Sequence, residues 1–461
     1  MWKLWKNLRQ DKRGSLILYV LIFGSVTTMI IISGVASYAL FENKASNRKH
    51  ERDLAFHIAE AGINYYKWHL AHNATDYTDG TGEPGPYIHD YTDKDNNVIG
   101  QFSLEIDEPL AGSSVVIVRS TGATVVAPEV ERTIQVRLGF PALTDYTFLS
   151  NANMNFSFTT EVHGAVHSNG GIRFDGTTDS WVKSAKDRYK YENQWHNGVW
   201  GGGGPKSFWV YPVPAIDFFA VTSDLKDIQE AADEAGVYLT TSGQEGWHFV
   251  FNNTSFDLYR VTSRDCYYGE GRWRHRWGGW YWQGSSYCYD IGNEIFVRSE
   301  VIPANGAIFA EDNVWVEGVV DGRVSIGVGS FPVQEPYAHI YIADNLTYAA
   351  KSSDDVIGLL AQGEIIVPYE VPDVMEINAA LLSQFKSIYR PYYYDDIKDS
   401  LTVFGSQIAY GGGGWKYVNG WGHVVSGFVN TNHIYDGNLR YYPPPGFPVG
   451  IVYELISWEE L

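Results

Sequence analysis

The chain has 461 residues, a net charge of −20 at neutral pH, and aromatic side chains at 15% of its positions. This length exceeds that of one small domain and allows about three, with ample surface to bury. The acidic balance argues against general affinity for nucleic acids, because phosphate contacts need clustered cations. The abundance of Gly, Tyr, Trp and Phe is typical of many short strands and turns, so we expect a mainly β protein outside the cytoplasm.

The amino terminus combines a basic leader with a long apolar segment. Residues Met1–Gly14 hold five cations and one anion, and the 27 residues from Ser15 to Phe41 carry no charge. A helix rises about 1.5 Å per residue, so this segment exceeds the roughly 30 Å core of a bilayer. By the positive-inside tendency the leader stays cytoplasmic and the rest of the chain lies outside. The run is too long for a secretory signal, whose apolar region has about 7 to 15 residues, and a plain transmembrane anchor is the alternative.

A short motif in front of the apolar segment makes the prediction more specific. Arg13, Gly14 and Ser15 precede the run, an arrangement that resembles a class III prepilin leader. The resemblance implies cleavage after Gly14 by a prepilin peptidase, leaving Ser15 as the N-methylated first residue. The segment Asn47–Gly62 resembles the "DR..AF..AEA" segment of PilX-type minor pilins. Most pilins carry a glutamate as fifth mature residue, and here that position is Tyr19, which suggests a special place in the filament with no earlier subunit above it.

A long helix and a small sheet are expected next. Residues 15–72 are predicted to form one stalk helix, of which 15–41 is the transmembrane and filament-core part. Its later apolar face is predicted from residues at helical spacing, namely Leu54, Ile58, Ala61, Tyr65 and Trp68. The region 73–140 begins with a loop rich in Asp, Thr, Gly and Pro and continues with β-branched runs. The resemblance implies the same plan, since pilins place a small antiparallel sheet after a long helix.

Residues 141–461 are predicted to form a separate β-rich ectodomain that begins after Phe140. Between Gly306 and Val367, short apolar runs alternate with turn pairs such as Asp321-Gly322. This pattern favours a β-solenoid-like fold, in which each rung buries its inward face against the next. A β-sandwich is the alternative, because no strict repeat length can be identified.

Further elements are predicted within this ectodomain. Apolar residues at helical spacing indicate two short helices, over 218–235 and over 374–388. His163 and His167 alternate within one apparent strand and are expected to share one of its faces. The tail from Tyr435 onward, rich in proline, is expected to lie as an extended strap over the solenoid.

The two cysteines enclose the most unusual stretch of the sequence. Cys266 and Cys288 lie in an exported region, where disulfides persist, so we predict that they pair and close a hairpin. The enclosed ligand-binding candidates are Arg272, Trp273, Arg274, Arg276, Trp277, Trp280 and Trp282. On a hairpin, alternation would place the aromatic rings on one face and the guanidinium groups on the other. Indoles stack on sugars or bases, and Arg pairs with carboxylate or phosphate; the alternative is that the indoles pack against the solenoid.

These features predict a noncatalytic minor pilin or pilin-like adhesin of a type IV pilus or related pseudopilus, displayed at or near the filament tip. The expected partners are other pilins through the N-terminal helix, the prepilin peptidase and assembly machinery, and a ligand that is a glycan, a host or bacterial surface, or DNA. The precursor is expected in the bacterial inner membrane with its N terminus in the cytoplasm, and the mature protein in an extracellular filament. No catalytic residue, metal site or cofactor is expected.

Two other functions stay open from the sequence. A membrane-anchored β-solenoid enzyme acting on polysaccharides would use carboxylate pairs, which are frequent in this acidic chain. A DNA-capture subunit for uptake would use the Arg and Trp residues of the hairpin.

Overall fold

The computed structural model describes residues 12–109, 115–139, 143–216, 218, 221–276, 279–440, 442–448 and 453–461, with backbone alone at 12–15, 221–224, 276 and 279. Over these residues the helices are α1 (Lys12–His72) and α2 (Val221–Ala235), with 3₁₀ turns at Leu143–Asp145, Lys206–Phe208 and Gly437–Arg440. The strands are β1 (Tyr87–Thr92), β2 (Val98–Asp107), β3 (Val116–Thr124), β4 (Arg132–Gly139), β5 (Phe148–Ser150), β6 (Met154–Phe156), β7 (Thr160–His163), β8 (Val166–Ser168), β9 (Ile172–Phe174), β10 (Thr177–Thr178), β11 (Val182–Ser184), β12 (Arg188–Tyr191), β13 (Gln194–Asn197), β14 (Val199–Trp200), β15 (Trp209–Val210), β16 (Val237–Leu239), β17 (Gly246–Asn253), β18 (Ser255–Arg276), β19 (Gly279–Val301), β20 (Ala307–Ala310), β21 (Val314–Val320), β22 (Arg323–Val328), β23 (Ile340–Tyr348), β24 (Val356–Ala361), β25 (Ile365–Ile366), β26 (Val374–Ser383), β27 (Ile388–Tyr389), β28 (Ile397–Ala409), β29 (Lys416–Val418), β30 (Val424–Ile434) and β31 (Glu454–Glu460). A long N-terminal helix followed by a mainly β chain is therefore confirmed.

The chain divides into two compact units. The first contains Met1–Glu108, Val116–Leu138 and Leu455–Leu461, and the second contains Pro109–Val115 and Gly139–Glu454. The chain therefore leaves the first unit after Leu138 and returns to it at its end. This corrects the predicted assignment of all residues 141–461 to the ectodomain. The predicted strap is correct for its proline-rich part, where Arg323 of β22 donates to the carbonyl of Pro443 and Phe447 is buried against β24 and β26. It is wrong for the terminal strand, which belongs to the first sheet.

The sheet of the first unit has the order β1-β2-β3-β4-β31, and its first four strands pair antiparallel with their sequence neighbours. The small antiparallel sheet after the helix is therefore confirmed. The C-terminal strand is held beside β4, where the backbone amide of Leu461 donates to the carbonyl of Thr133 at 3.0 Å. Arg132 and Glu460 add an ion pair between the same two strands. The sheet is thus completed only by residues from the far end of the sequence.

The second half of α1 packs on this sheet. Its buried side chains include Ala55, Ile58, Ala59, Tyr66 and Leu70, and this half of the helix contacts β2 and β3. The buried face is rotated relative to the predicted stripe, so that Trp68 is exposed. Small residues allow the helix to approach closely: a Cβ added at Gly122 of β3 would lie 2.5 Å from the amide nitrogen of Ala59.

The second unit is built from ladders of parallel strands. The first ladder runs through β16, β20, β22, β24, β26, β28, β5, β8, β11 and β15. A second ladder contains β17, β21, β23, β25 and β27, and a third contains β28, β30, β7 and β10. Apolar side chains from successive strands fill the interior. This stacking is the solenoid-like arrangement expected from the sequence.

The order of strands along the stack differs from their order along the chain. Ile408 of β28 pairs with Leu149 of β5, and Thr431 of β30 pairs with Thr160 of β7. The earliest strands of the unit therefore stack on its last strands. The segment between β15 and β16, which includes α2, connects strands at opposite ends of the first ladder. Leu225 of α2 belongs to a buried cluster that extends along this ladder from β20 to β5.

One of the two predicted ectodomain helices is present and the other is wrong. The first is α2. The segment predicted as a helix over 374–388 instead forms β26 and β27. Most side chains of β26 are buried, since it lies inside the stack between β24 and β28. A strand covered on both faces carries apolar residues on both of them, so its sequence lacks the period-2 pattern of a half-exposed strand. The apolar residues of this segment therefore also fitted the spacing of a helix.

The predicted pairing of two histidines on one strand face is also wrong. His163 ends β7 and His167 lies in β8, with Gly164 between them at a φ of 123°. His163 bonds to Asp179, with 2.8 Å between Nδ1 and Oδ2. His167 is buried and bonds to Asn169 at 3.2 Å. The two histidines therefore lie on strands of different ladders, and each bonds to its own partner.

Candidate binding surface on a disulfide-linked hairpin

The apolar first half of α1 is the first feature relevant to function. Helix α1 is long and apolar enough to cross a membrane, and its large apolar side chains between Leu16 and Phe41 are exposed along the whole segment. Tyr19 is one of them. The side chains of the predicted cleavage residues Gly14 and Ser15 lie outside the described part of the chain, so cleavage there stays a prediction.

Strands β18 and β19 form a long antiparallel hairpin in the second unit. Pairing extends from Ser255 and Val301 at its base to Arg276 and Gly279 at its tip, and β18 also pairs with β17. The predicted disulfide between Cys266 and Cys288 is confirmed and joins the two strands midway. Hairpin strands of 22 and 23 residues greatly exceed the usual strand length of 3 to 10 residues.

The pairing register places aromatic residues together at the tip. Trp273 lies opposite Trp282 and His275 lies opposite Trp280, whereas Arg272 and Arg274 fall on the alternate positions. Side chains alternate between the two faces of a strand, so one face of the tip carries the Trp and His rings, and the other carries the guanidinium groups together with Tyr281, which lies opposite Arg274. The side chain of Arg276 and all of Trp277 lie outside the described residues.

The rings at the tip form a cluster that is only partly covered. Trp282 lies 5.6 Å from Trp273 and 5.0 Å from Tyr268, measured between ring centroids, and 4.9 Å from Tyr394 of the stacked strands. The backbone amide of Tyr394 donates to the carbonyl of Tyr268 at 2.8 Å. Trp282 therefore holds the hairpin against the body of the unit. Further toward the turn, Trp273 is 44% exposed and Trp280 is 68% exposed.

The middle of the hairpin lies on the stacked strands. The ring of Tyr267 stacks on that of Tyr369 at 3.9 Å, and the carboxylate of Asp290 accepts hydrogen bonds from the amides of Tyr369 and Glu370 at 3.2 and 2.7 Å. The indole of Trp315 donates to the carbonyl of Tyr289 at 2.7 Å. Burial raises the pKa of Asp290 to about 6, despite the two amide donors. These contacts position the exposed tip.

Within the described residues, the arginine side chains at the tip form no ion pair with an acidic side chain. Neither Arg272 nor Arg274 takes part in an ion pair there, and the Nε of Arg274 is buried without a hydrogen-bond partner. Arg272 is exposed. Rings with an open edge beside unpaired guanidinium groups can contact a flat or anionic surface by stacking and by charge-assisted hydrogen bonds.

Sequence reasoning missed two members of this cluster. Tyr268 lies inside the disulfide loop but five residues before Trp273, out of period-2 register with it, and it joins the cluster where the strand pairing is irregular between Tyr268 and Gly271. Tyr394 lies more than a hundred residues further along the chain, and only the stacking of strands brings it to Trp282. Over the described residues, no group of three or more His, Cys, Asp and Glu side chains is placed to hold a metal ion.

Comparison with known proteins gives little guidance. No protein-family description matches the sequence, and no curated protein matches it. Among solved structures, the chain is similar to the competence-associated pilin ComZ from Thermus thermophilus, with 13% sequence identity over 89% of this chain and 97% of that one, and a TM-score of 0.31. A likeness at this TM-score carries no weight for function, so the function has to be inferred from the chain itself.

Proposed function

We propose that the protein is a noncatalytic pilin-like subunit, stored in the membrane through its N-terminal helix and then assembled with other pilins in a type IV pilus or pseudopilus. The observation that carries this proposal is the division of α1 into two halves. The first half exposes apolar side chains at nearly every position, and the second half buries one face on an antiparallel sheet.

The first half of α1 needs an apolar environment. A continuous apolar surface of this size is untenable in water and marks contact with a membrane or with other protein. A bundle of identical or related helices provides such contact as well as lipid does. The sheet that covers the second half makes the helix a stalk attached to a folded head, and this is the plan that the sequence resemblance to prepilins implies.

We further propose that the subunit is present in few copies, at or near the filament tip. The second unit occupies most of the chain, from Gly139 to Glu454, and a head of this size on every subunit would obstruct close packing in a shaft. The absence of an acid at position 19 supports the same placement, since the resemblance implies that this acid meets the amine of a neighbouring subunit.

Processing of the precursor tests the assignment directly. We expect mature protein from cells to begin at a methylated Ser15, as measured by mass spectrometry of its N-terminal peptide. Gly14→Val should block cleavage and remove the protein from sheared filaments. Gly437→Val is the matched control, because Gly437 has no neighbouring atom within 4 Å of an added Cβ and lies outside α1. Mature protein that begins at Met1, or wild-type protein missing from purified filaments, would refute the proposal.

The hairpin tip is proposed as the adhesive surface of this subunit. Trp273 and Trp280 present exposed ring surface, and truncation of aromatic anchors commonly costs an interface more than 1 kcal/mol. The double variant Trp273→Ala and Trp280→Ala should reduce adhesion of piliated cells by about ten-fold, which corresponds to about 1.4 kcal/mol. Trp181→Ala is the control, since Trp181 is also an exposed indole of the second unit and contacts Phe208. Unchanged adhesion of the double variant on every tested surface would exclude the tip as the adhesive site.

A further inference from the structure

The second ladder of the stack is interrupted at one place. On one side it ends with β27, where Tyr389 bridges to Gly414, and on the other side it resumes with β6, β9 and β14. The first and third ladders continue through the same level, by the pairing of β28 with β5 and of β30 with β7. Within the described residues no strand pairing joins Gly414 to β6, so this wall of the stack is open.

A cleft of about 660 Å³ fills the opening. Its two walls approach each other at both ends. A Cβ added at Gly412 would lie 3.4 Å from the carbonyl oxygen of Asn153, and a Cβ added at Gly422 would lie 3.4 Å from Cε1 of Phe158. The opening is therefore a bounded slot. Its volume falls within the range of about 300 to 1,000 Å³ found for small-ligand sites.

The lining alternates rings with uncharged polar groups. Rings of Phe156, Phe158 and Tyr191 line one wall, and the amides of Asn155 and Asn419 lie among the lining side chains. Phe158 is 63% exposed although it lies beside the cleft. The loop on the opposite wall also carries Trp421, which is 87% exposed between two lining glycines. Within the part of the chain that the structure describes, neither Phe158 nor Trp421 forms a ring pair with another aromatic residue.

The two cations that line the cleft are already engaged by the protein, and the other charged lining residues are the carboxylates Asp175 and Glu192. Arg173 donates to Asp175 at 2.8 Å and lies 5.3 Å from the ring of Trp200. Lys416 donates to the hydroxyl of Thr159 at 2.6 Å and to the carbonyl of Val429 at 3.0 Å. Burial lowers the pKa of Lys416 to about 8. A ligand that relies on free cations, such as a nucleic acid or an acidic polymer, has little to bind here.

The buried histidine at the floor is uncharged. His433 bonds to Gln407, whose Oε1 accepts the indole N–H of Trp415 at 3.1 Å. Complete burial lowers the pKa of His433 to about 3. The floor therefore offers a neutral hydrogen-bonding network at any physiological pH.

We propose that this cleft binds a neutral oligosaccharide. The C–H faces of pyranose rings pack on aromatic rings, and their hydroxyl groups exchange hydrogen bonds with side-chain amides and backbone groups. An extended peptide is disfavoured, because it would need a long free strand edge, whereas β6 has three residues and the opposite wall pairs by a single bridge. This inference concerns the second unit alone and does not depend on the proposed role in a pilus.

The test uses the full chain in a detergent without a sugar headgroup. Calorimetric titrations would cover neutral hexasaccharides of gluco, galacto, manno and N-acetylglucosamine type, an oligogalacturonate as acidic probe, and an extended octapeptide. We expect at least one neutral hexasaccharide to bind and the acidic probe and peptide not to compete with it. Binding by none of the neutral sugars, or preferred binding of the oligogalacturonate or the peptide, would overturn the proposal.

Variants locate the binding. Gly414→Leu should weaken it at least ten-fold, because Gly414 lines the cleft and an added Cβ meets no atom within 4 Å, so that the fold tolerates the side chain that fills the slot. Gly437→Leu is the matched control, since Gly437 is equally open and lies away from the cleft. Phe158→Ala should also weaken binding, whereas Phe296→Ala, an exposed ring on the hairpin, should not. Equal affinity of Gly414→Leu and wild type would refute the site, while cleavage at Ser15 and filament location would report separately on the pilus role.

Discussion

The contact of Asp290 with the body of the second unit predicts a measurable pH dependence. Asp290 is 4% exposed, and burial raises its pKa from 3.8 to about 6. Glu370 raises this pKa further, while the two amide hydrogen bonds and Arg390 lower it. In the unfolded chain the carboxyl loses its proton near 3.8. Between these two values the folded state binds more protons than the unfolded state, so the contribution of this group to the free energy of unfolding decreases as the pH rises.

The magnitude follows from the shift. A shift of about two pKa units, at about 1.4 kcal/mol per unit, corresponds to roughly 3 kcal/mol. This contribution to the free energy of unfolding is present in full below pH 3.8 and is lost above pH 6. Asp290→Asn removes this titration and keeps one acceptor for the amide of Glu370. The free energy of unfolding of the variant, relative to wild type, should therefore rise by about 3 kcal/mol between pH 4 and pH 7.

Urea unfolding of the full chain, followed by near-UV circular dichroism of the tyrosine contacts under the hairpin, measures this difference. Taking the difference between the two proteins at each pH cancels the titration of all other carboxyl groups. Asp233→Asn, at an exposed position of α2, is the control for removal of a carboxylate. A difference that does not change with pH for Asp290→Asn would show that burial of Asp290 does not disfavour its charge.

Three further perturbations probe other contacts. Gly122→Ala should destabilise the first unit by about 1 to 3 kcal/mol, because the new Cβ overlaps the backbone of α1; thermal unfolding measures this, and an unchanged midpoint would refute the close approach. Arg390 is fully buried and paired with Asp396, which Lys398 also approaches at 3.8 Å. Arg390→Ala should therefore cost about 3 kcal/mol, the lower end for breaking a buried pair, and Asp396→Asn should relieve part of that loss in the double variant if the pair is the cause. Replacing Cys266 and Cys288 by Ser should lower stability by about 3 kcal/mol and increase hydrogen exchange at the hairpin tip; equal exchange in both proteins would show that the disulfide does not hold the tip.

Several features were predictable because their causes are local. The apolar run before Phe41 specifies a helix that avoids water whatever the rest of the chain does. The paired cysteines and the alternation of Arg and Trp between them specify a closed hairpin with two chemically different faces. Asp321-Gly322 and similar turn pairs mark the corners of the stack. In each case neighbours in sequence are also neighbours in space.

Other features escaped because their causes are remote in sequence. The 374–388 segment was predicted as a helix, since a strand buried on both faces has no period of its own. Tyr394 joined the tip cluster only through the stacking of strands. The cleft beside Gly414 has no sequence signal at all, because it is the absence of pairing between two strands that are more than two hundred residues apart.

The sequence by itself determined the apolar stalk, the small sheet after it, the disulfide hairpin and the repeated short strands, since each follows from local periodicity, turn chemistry or cysteine spacing. Only the tertiary structure decided that the last strand completes the first sheet, and that β5 and β7 stack on β28 and β30. The physical reason is that a strand edge accepts any partner of suitable pattern. Which of many similar apolar strands pairs with which is settled by the packing of the whole stack, and the open cleft lies where that packing leaves one ladder unpaired.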